Sequence, residues 1–557
     1  MTREIKIKCL NNGETITCPR GITLTQIAKK LDVQLAHPIL GAMVNNKLRE
    51  TSYEVFHSKT IRFIDITHPD GMRMYVRSLS FVLLAAVNEL FPGVKLRIEH
   101  SVSKGIYCEL ESAYGELTVQ MVIDLATKMR EIVDLALPIE QKNDETEEVI
   151  ALFEELGLTD KSELIRHRGQ YYSSYYQMGD HMGIFYGLMV PNTSYLKVFD
   201  LNKYYNGFLL RLPKVEDPTK VEELVIQSKL FEIFREFRHW NKVLNITKVS
   251  DLNKLVKAGN GHADTLIKVT EALHEKKIAQ IADRITQHKE HLEIVLISGP
   301  SSSGKTTFGK RLAIQLLVSG ITPLNLSLDN YFVNRENTPK DENGDYDFET
   351  IEALDLKLFN EHLVALLNGE VVEIPKFSFE TGQRFYDGEK LQMSRDNILI
   401  IEGIHGLNPT LTAAIKDDVK FKIYVSALTS INIDDHTRIP TTDNRLIRRI
   451  VRDYKYRKYS ARETISRWES VRRGEDKHIF PYQEEADVMF NTALLYELSV
   501  LKPFIEPILL EVQPNQEEYS EATRLLMFFS YIKPLEPLNI PPTSILREFL
   551  GGSSFIY

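Results

Sequence analysis

"LISGPSSSGKTTFGKRL", residues 296–312, decides the fold of the C-terminal half. Within it, Gly299-Pro300-Ser301-Ser302-Ser303-Gly304-Lys305-Thr306 satisfies G-x-x-x-x-G-K-[ST]. The motif follows an apolar strand and opens an amphipathic helix. Glycines let backbone N–H groups turn inward on phosphate oxygens, and the helix N-terminus adds positive partial charge. Gly299, Ser301, Ser302, Ser303, Gly304 and Thr307 are therefore candidate phosphate-cradle residues. Lys305 is placed to reach the β and γ phosphates, and the Thr306 hydroxyl to join a Mg²⁺ shell. ATP and Mg²⁺ are the cofactors implied. A tight turn with a buried lysine, the bland alternative, does not explain the strand–loop–helix context.

Working outward, EIVLISG (293–299), PLNLSLD (323–329), NILIIEG (397–403) and FKIYVSA (421–427) read as strands. They alternate with helical patterns such as KTTFGKRLAIQLLVSG (305–320), which predicts a doubly wound parallel sheet over 291–557.

Three features give the loop a direction. LSLDNYF puts Asp329 at a strand's carboxyl end, where ligands sit in open α/β sheets and a carboxylate can take a proton from an attacking hydroxyl. NILIIEG ends on Glu402, the type of acid that holds Mg²⁺ or its water. In DNRLIRRIVRDYKYRKYS, Arg445, Arg449 and Arg452 fall at i, i+4 and i+7. They form one basic face with few acidic partners nearby in sequence, suited to clamping a transferring phosphoryl group. Taken singly, each has an ordinary reading: a turn Asp, a strand-end Glu, a solvated basic helix. Chain order and spacing bind them together.

GPSSSGKTT, LSLDNYF, the YDF at 346–348, EIPKFSF, IIEGIHGL and DNRLIRRIVRD together make residues 291 to about 515 resemble the uridine kinase and phosphoribulokinase family. The resemblance implies that Asp329 is the base for a ribose 5′-hydroxyl. Asp347, preceded by Tyr346, would bind ribose, and Glu402 would stand on the Mg²⁺ side. Arg449, Arg452 and Arg457 would hold phosphates and ribose. Tyr331 and Phe377 join the expected substrate-binding set. Three positions depart from the pattern. Where uridine and cytidine kinases read the pyrimidine with a tyrosine and a histidine, this chain has Phe377 and Gly382. A lid arginine is replaced by Tyr459.

Residues 1–67 read as a β-rich module in which Thr23-Leu24-Thr25-Gln26 caps a short helix. They resemble the TGS domain, a β-grasp module. Residues 68–225 are similar to the α+β editing domain of threonyl-tRNA synthetases, on FPGVKLRIEHSVSKGIYCELE (91–111) and GLMVPNTSYL (187–196). The editing H-x-x-x-H register reads Arg77-Ser78-Leu79-Ser80-Phe81, so hydrolytic editing is not expected. IEQKNDETEEV (139–149) reads as a solvated helix start. Residues 226–290 read as a charged helical connector. Tyr171, Tyr172, Tyr175, Tyr176 and Tyr186 suit a packed core or interface better than base stacking. His100, His167 and His181 lack metal-ligand company and read as structural.

The bulk numbers agree with a multidomain α/β enzyme. The chain of 557 residues is too long for one core. Three cysteines without metal-type spacing suit a reducing, cytoplasmic setting. No apolar run reaches membrane-spanning length. With 68 basic and 77 acidic residues, net charge −9, no global basic field for nucleic acid exists. The expectation is an ATP-dependent nucleoside kinase with regulatory or RNA-sensing N-terminal modules. A kinase for another sugar or vitamin alcohol, and a nucleotide-controlled RNA- or ribosome-binding regulator, stand as alternatives. Assembly as a homo-oligomer and the role of 516–557, expected to dock on the kinase domain or a partner subunit, stay open.

Overall fold

The computed structural model describes residues 4–111, 115–259, 261–341 and 344–556. Strand Glu4–Cys9 alternates exposed and buried positions, so Ile5, Ile7 and Cys9 face one core. It pairs antiparallel with Thr15–Pro19 and parallel with Lys59–Ile64, the central strand of a five-stranded mixed sheet. Helix Leu24–Lys30 packs on that sheet through Leu24 and Ile27, with Thr23 and Gln26 capping it reciprocally. This is the expected β-grasp arrangement.

Helix Pro69–Leu90 follows, buried along most of its length against a four-stranded antiparallel sheet and helix Val119–Asp134. The stretch expected to start a helix at 139 is instead strand Glu140–Glu145, and the helix begins at Thr146. Glu140–Glu145 pairs along its whole length with the tyrosine-rich strand Tyr172–Met178. Ladder hydrogen bonds override the helix preference of Glu and Lys there.

The charged stretch 226–290 is more than a connector. It forms helices Ser228–Val243, Val249–Ala258 and His262–Gln287. Ile278, Ile281 and Ile285 of the last helix share a buried cluster with Phe308, Leu312 and Leu316 behind the phosphate loop. Phe231 and Phe234 of the first pack with Tyr424 and Met489. Most charged residues of these helices are exposed or half-buried, while an apolar stripe, joined by the buried Asn241, Asn253, Glu271 and His274, faces the rest of the chain.

That sheet has the strand order Thr322–Ser327, Asn397–Glu402, Ile294–Ser298, Lys420–Ser426, Val488–Asn491, with every pairing parallel. Its inner strands are buried on both faces, which explains their unbroken apolar runs. The phosphate loop leaves the carboxyl end of the central strand, where crevices form in such sheets. The C-terminal tail docks on its own chain: Ile540, Ile545, Leu546, Phe549 and Leu550 enter the cluster that holds the phosphate-loop helix.

The aromatic cluster divides. Tyr176 and Tyr186 are internal, with hydroxyls donating to Glu50 and Asp434, whereas Tyr171 and Tyr172 are exposed. His100 stacks on Phe234 at 3.7 Å, and burial holds its imidazole well below the usual range. His167 and His181 bond to the Glu163 carbonyl and the Glu89 carboxylate. Among the described residues no cluster of three or more His, Cys, Asp or Glu could hold a metal, and no helix is long and apolar enough to cross a membrane.

Candidate active site

The loop is shaped by close approach. A Cβ at Gly299 would lie 1.9 Å from the Val425 carbonyl oxygen, so only glycine fits. Gly304 sits at φ +85°, turning the chain into helix Lys305–Val318. Ser302 takes φ +59°, and its hydroxyl and that of Ser303 are buried without a protein hydrogen-bond partner. Orphaned hydroxyls in a glycine-edged loop at a helix N-terminus suit phosphate oxygens, so the residues fit the group the motif implies.

Around the loop, carboxylates and cations converge. The Thr306 hydroxyl donates to Glu402 Oε1 at 3.2 Å, and the Ser327 hydroxyl donates to the same oxygen at 3.0 Å. Burial first, then the neighbouring Asp329, pushes the Glu402 carboxyl up to about 7. Thr306 and Glu402 therefore form the donor set that would hold Mg²⁺, whose charge favours the ionised carboxylate. Lys305 donates to the Pro300 carbonyl at 3.2 Å; burial lowers its pKa, against the pull of Glu402 and Asp329. Asp329 lies on the turn Leu328–Tyr331, and its carboxylate carries no hydrogen bond or ion pair among the described residues.

The arginine helix Thr441–Tyr456 is less bare than its sequence suggests. Asp453 pairs with Arg449 at 3.3 Å, Arg452 at 2.7 Å and Arg457 at 3.7 Å. Burial opposes its charge, but the three guanidiniums outweigh it and lower its pKa. Arg449 also donates to the Ser301 hydroxyl at 3.2 Å, which brings this helix onto the loop. Arg445, expected on the same anion-facing stripe, is instead internal. It is ion-paired with the buried Glu475 and lies over Trp468. Its acidic partner comes from the next helix, 30 residues away in sequence, beyond reach of a local charge pattern.

The expected acceptor side is partly assembled. Asp347 stands 3.9 Å from His478 and accepts the Glu349 backbone N–H. Tyr346 is at the rim beside Phe348 and Lys340. Phe377 packs with Phe332 and Phe379, and Arg457 lies over the Phe379 ring at 4.4 Å. Tyr331 departs from the expectation of substrate contact. It is fully buried against Phe359, with its hydroxyl on His362, because the strand-end turn points it into the core. Gly382 is held at φ +72° on a hairpin tip, where a Cβ would meet Arg335 at 2.7 Å.

Three carboxylates escaped the sequence reading. Glu349 is buried with one oxygen unpartnered, facing Arg449 and Lys305; burial raises its pKa. Its place two residues after Asp347 was the available signal. Glu475 also accepts the Ser301 backbone N–H at 3.2 Å. Glu548, from the tail, accepts the Thr307 hydroxyl at 2.6 Å, and no motif announces it.

Residues 294–496 match the profile of the Phosphoribulokinase / Uridine kinase family. That segment belongs to the family. It is a P-loop kinase domain, and the parallel sheet and loop described above are its core. Solved structures similar to the chain include a possible uridine kinase from Bacillus stearothermophilus, at 17% identity and TM-score 0.26, covering 38% of this chain and 100% of that one. D-glycerate 3-kinase from Cryptococcus neoformans shows 13% identity and TM-score 0.22, covering 46% of this chain and 88% of that one.

The N-terminal part is similar to threonine–tRNA ligases. That of Clostridium kluyveri is 29% identical over 258 residues, and that of Carboxydothermus hydrogenoformans 31% identical over 191. These alignments cover 45% and 34% of this chain, which spans only 39% and 30% of the ligases' own lengths. At the register of the absent editing histidines, Arg77 donates to the Leu188 carbonyl and Phe81 packs on Phe185 at 5.1 Å. Both side chains serve packing there.

Proposed function

We propose that this chain is an ATP-dependent kinase that phosphorylates the 5′-hydroxyl of a nucleoside or a closely similar ribose-type alcohol. The observation that carries the reading is Asp329, a strand-end carboxylate with no hydrogen bond or ion pair among the described residues, whose charge acts on both Lys305 and Glu402. An NTPase needs only to position water; a carboxylate left free there suits proton transfer from an alcohol. In the reaction, Asp329 would accept the acceptor's hydroxyl proton as its oxygen attacks the γ phosphorus. The bond from the γ phosphorus to the bridging oxygen breaks and ADP leaves. Lys305 and Arg449, Arg452 and Arg457 would stabilise the charge spread over the phosphates. Thr306 and Glu402 would hold Mg²⁺, which would supply positive charge to offset that of the phosphates.

Asp347 and the aromatic wall of Phe377 and Phe379 support a ring-bearing, diol-containing acceptor. Phe377 and Gly382 replace the polar pair expected to read a pyrimidine, so base recognition is predicted to rest on stacking. A panel of nucleosides, sugars and pantothenate-type alcohols, read by ADP release, tests this. Turnover confined to nucleosides supports it, and turnover only with sugars or glycerate-type acids overturns the acceptor class. The TGS-like and editing-like modules are proposed to regulate the kinase through their packed contacts with it.

A further inference from the structure

The nucleotide end of the phosphate loop is already in contact with an anion, and the chain supplies it. Helix Lys305–Val318 has no side-chain cap of its own at Gly304. Instead, Glu548 accepts the Thr307 hydroxyl at 2.6 Å and the Thr307 backbone N–H at 3.4 Å. That N–H belongs to the first helical turn, whose donors a phosphate loop presents to its ligand. The segment carrying Glu548 is firmly seated. Ile545 lies against the bare face of Gly304, where a Cβ would come within 2.6 Å of its Cγ2. Phe549 packs beneath the Arg448 guanidinium at 5.1 Å, and Lys455 of the arginine helix donates to the Leu550 carbonyl. Ser544, Ile545, Leu546 and Phe549 are all fully buried. Arg547 donates to the carbonyls of Pro537 and Ile540, so the segment is folded on itself as well as docked.

We propose that residues 540–552, outside the segment that matches the kinase family, form part of the nucleotide site, with Glu548 as a built-in competitor that phosphate must displace from Thr307. Two anions cannot share these donors, since a carboxylate beside a phosphate oxygen repels it and both need the same N–H and O–H. Bound nucleotide therefore swings Glu548 away and loosens the strap that joins the phosphate loop to the arginine helix. Nucleotide occupancy is thereby coupled to the position of Lys455 and the C-terminal end of the arginine helix. This inference rests on the P-loop kinase reading of the site.

The test uses the full chain, wild type and Glu548→Gln, titrated calorimetrically with Mg-ATP, Mg-ADP and inorganic tripolyphosphate. Removing the competing charge is expected to tighten all three about 10- to 100-fold, the worth of one charge-assisted hydrogen bond. Glu548→Ala should do the same or more. Affinity unchanged or weakened in both variants overturns the proposal, because Glu548 then caps the helix without competing or contacts the nucleotide directly. Tightening of ATP without tightening of tripolyphosphate also overturns it, since competition would then lie on the base side. Hydrogen exchange gives a second readout: Mg-ATP should accelerate exchange over 540–552 in the wild type, and slower exchange there contradicts displacement. A chain that binds none of the three probes in any form overturns the kinase reading itself, whereas binding indifferent to Glu548 overturns only this coupling.

Discussion

Lys161 and Asp434 form an ion pair of 2.8 Å with both side chains wholly buried. Lys161 lies on helix Thr159–Arg168 of the editing-like region, and Asp434 on the hairpin that precedes the arginine helix. The Tyr186 hydroxyl donates to the same Asp434 oxygen at 3.1 Å, and Lys161 also donates to the Ile184 carbonyl. Such a pair contributes little over an apolar substitute, but stranding one charge is severe. Lys161→Met should destabilise the chain by about 3–5 kcal/mol. Adding Asp434→Leu should recover much of the loss. Thermal unfolding of the two variants checks this: a double variant as unstable as the single one would deny the pair its role in joining the regions.

Asp329→Asn keeps the shape of the strand-end turn and removes the proposed base. Turnover should fall by about 10²- to 10⁴-fold, the usual worth of a positioned general base. ATP affinity should stay within about two-fold, because Thr306, Lys305 and the loop are untouched. ADP release at saturating acceptor and calorimetry with Mg-ATP separate the two effects. Full activity in this variant would move the base elsewhere.

Asp453 gathers Arg449, Arg452 and Arg457, and a neutral side chain there would release all three. Displacements of about 1 Å at a phosphoryl clamp can lower rates by about 100-fold. Asp453→Asn should therefore reduce kcat/KM by about 10- to 100-fold, and, because Asp453 is buried among the guanidiniums it pairs, it should also lower the unfolding temperature. Steady-state kinetics beside a thermal melt distinguishes lost positioning from lost folding.

The parallel sheet was legible because its strands are uninterrupted apolar runs, and the loop because its motif encodes backbone geometry. Glu402 and Thr306 were found by their place at strand and helix ends, and they do meet. What escaped was long-range: Glu475 and Glu548 complete the arginine helix and loop through contacts that no local pattern carries, whereas Asp453 pairs with arginines within one helical turn of it. Tyr331 was misplaced for a related reason. A strand-end aromatic can face the cleft or the core, and only packing with Phe359 and His362 decides which. Similarly, the charge of 226–290 revealed the outer face of those helices and hid the inner one.

Buried histidines, His100 among them, make the fold less stable as pH falls. Burial holds the imidazole of His274 at about 3 and those of His405 and His436 at about 4. In the unfolded chain each would titrate near 6.5. Below that value the unfolded state binds more protons than the folded one, so stability falls as pH falls, from about 6.5 down to about 4 for His405 and His436 and about 3 for His274. Glu521 acts in a lower window. Burial opposes its charge, yet Arg524 and Arg73 hold it at about 2, so its stabilisation is lost only between about 4.5 and 2. The histidines therefore act between pH 7 and pH 5, the window in which the raised Glu402 carboxyl works in the opposite sense. His274 packs edge-on to Phe490, with neither ring nitrogen hydrogen-bonded. His274→Leu should leave the unfolding temperature at pH 7 nearly unchanged and flatten its fall toward pH 5. A melt series across that range, wild type against variant, gives the result, and parallel curves would remove His274 from the account.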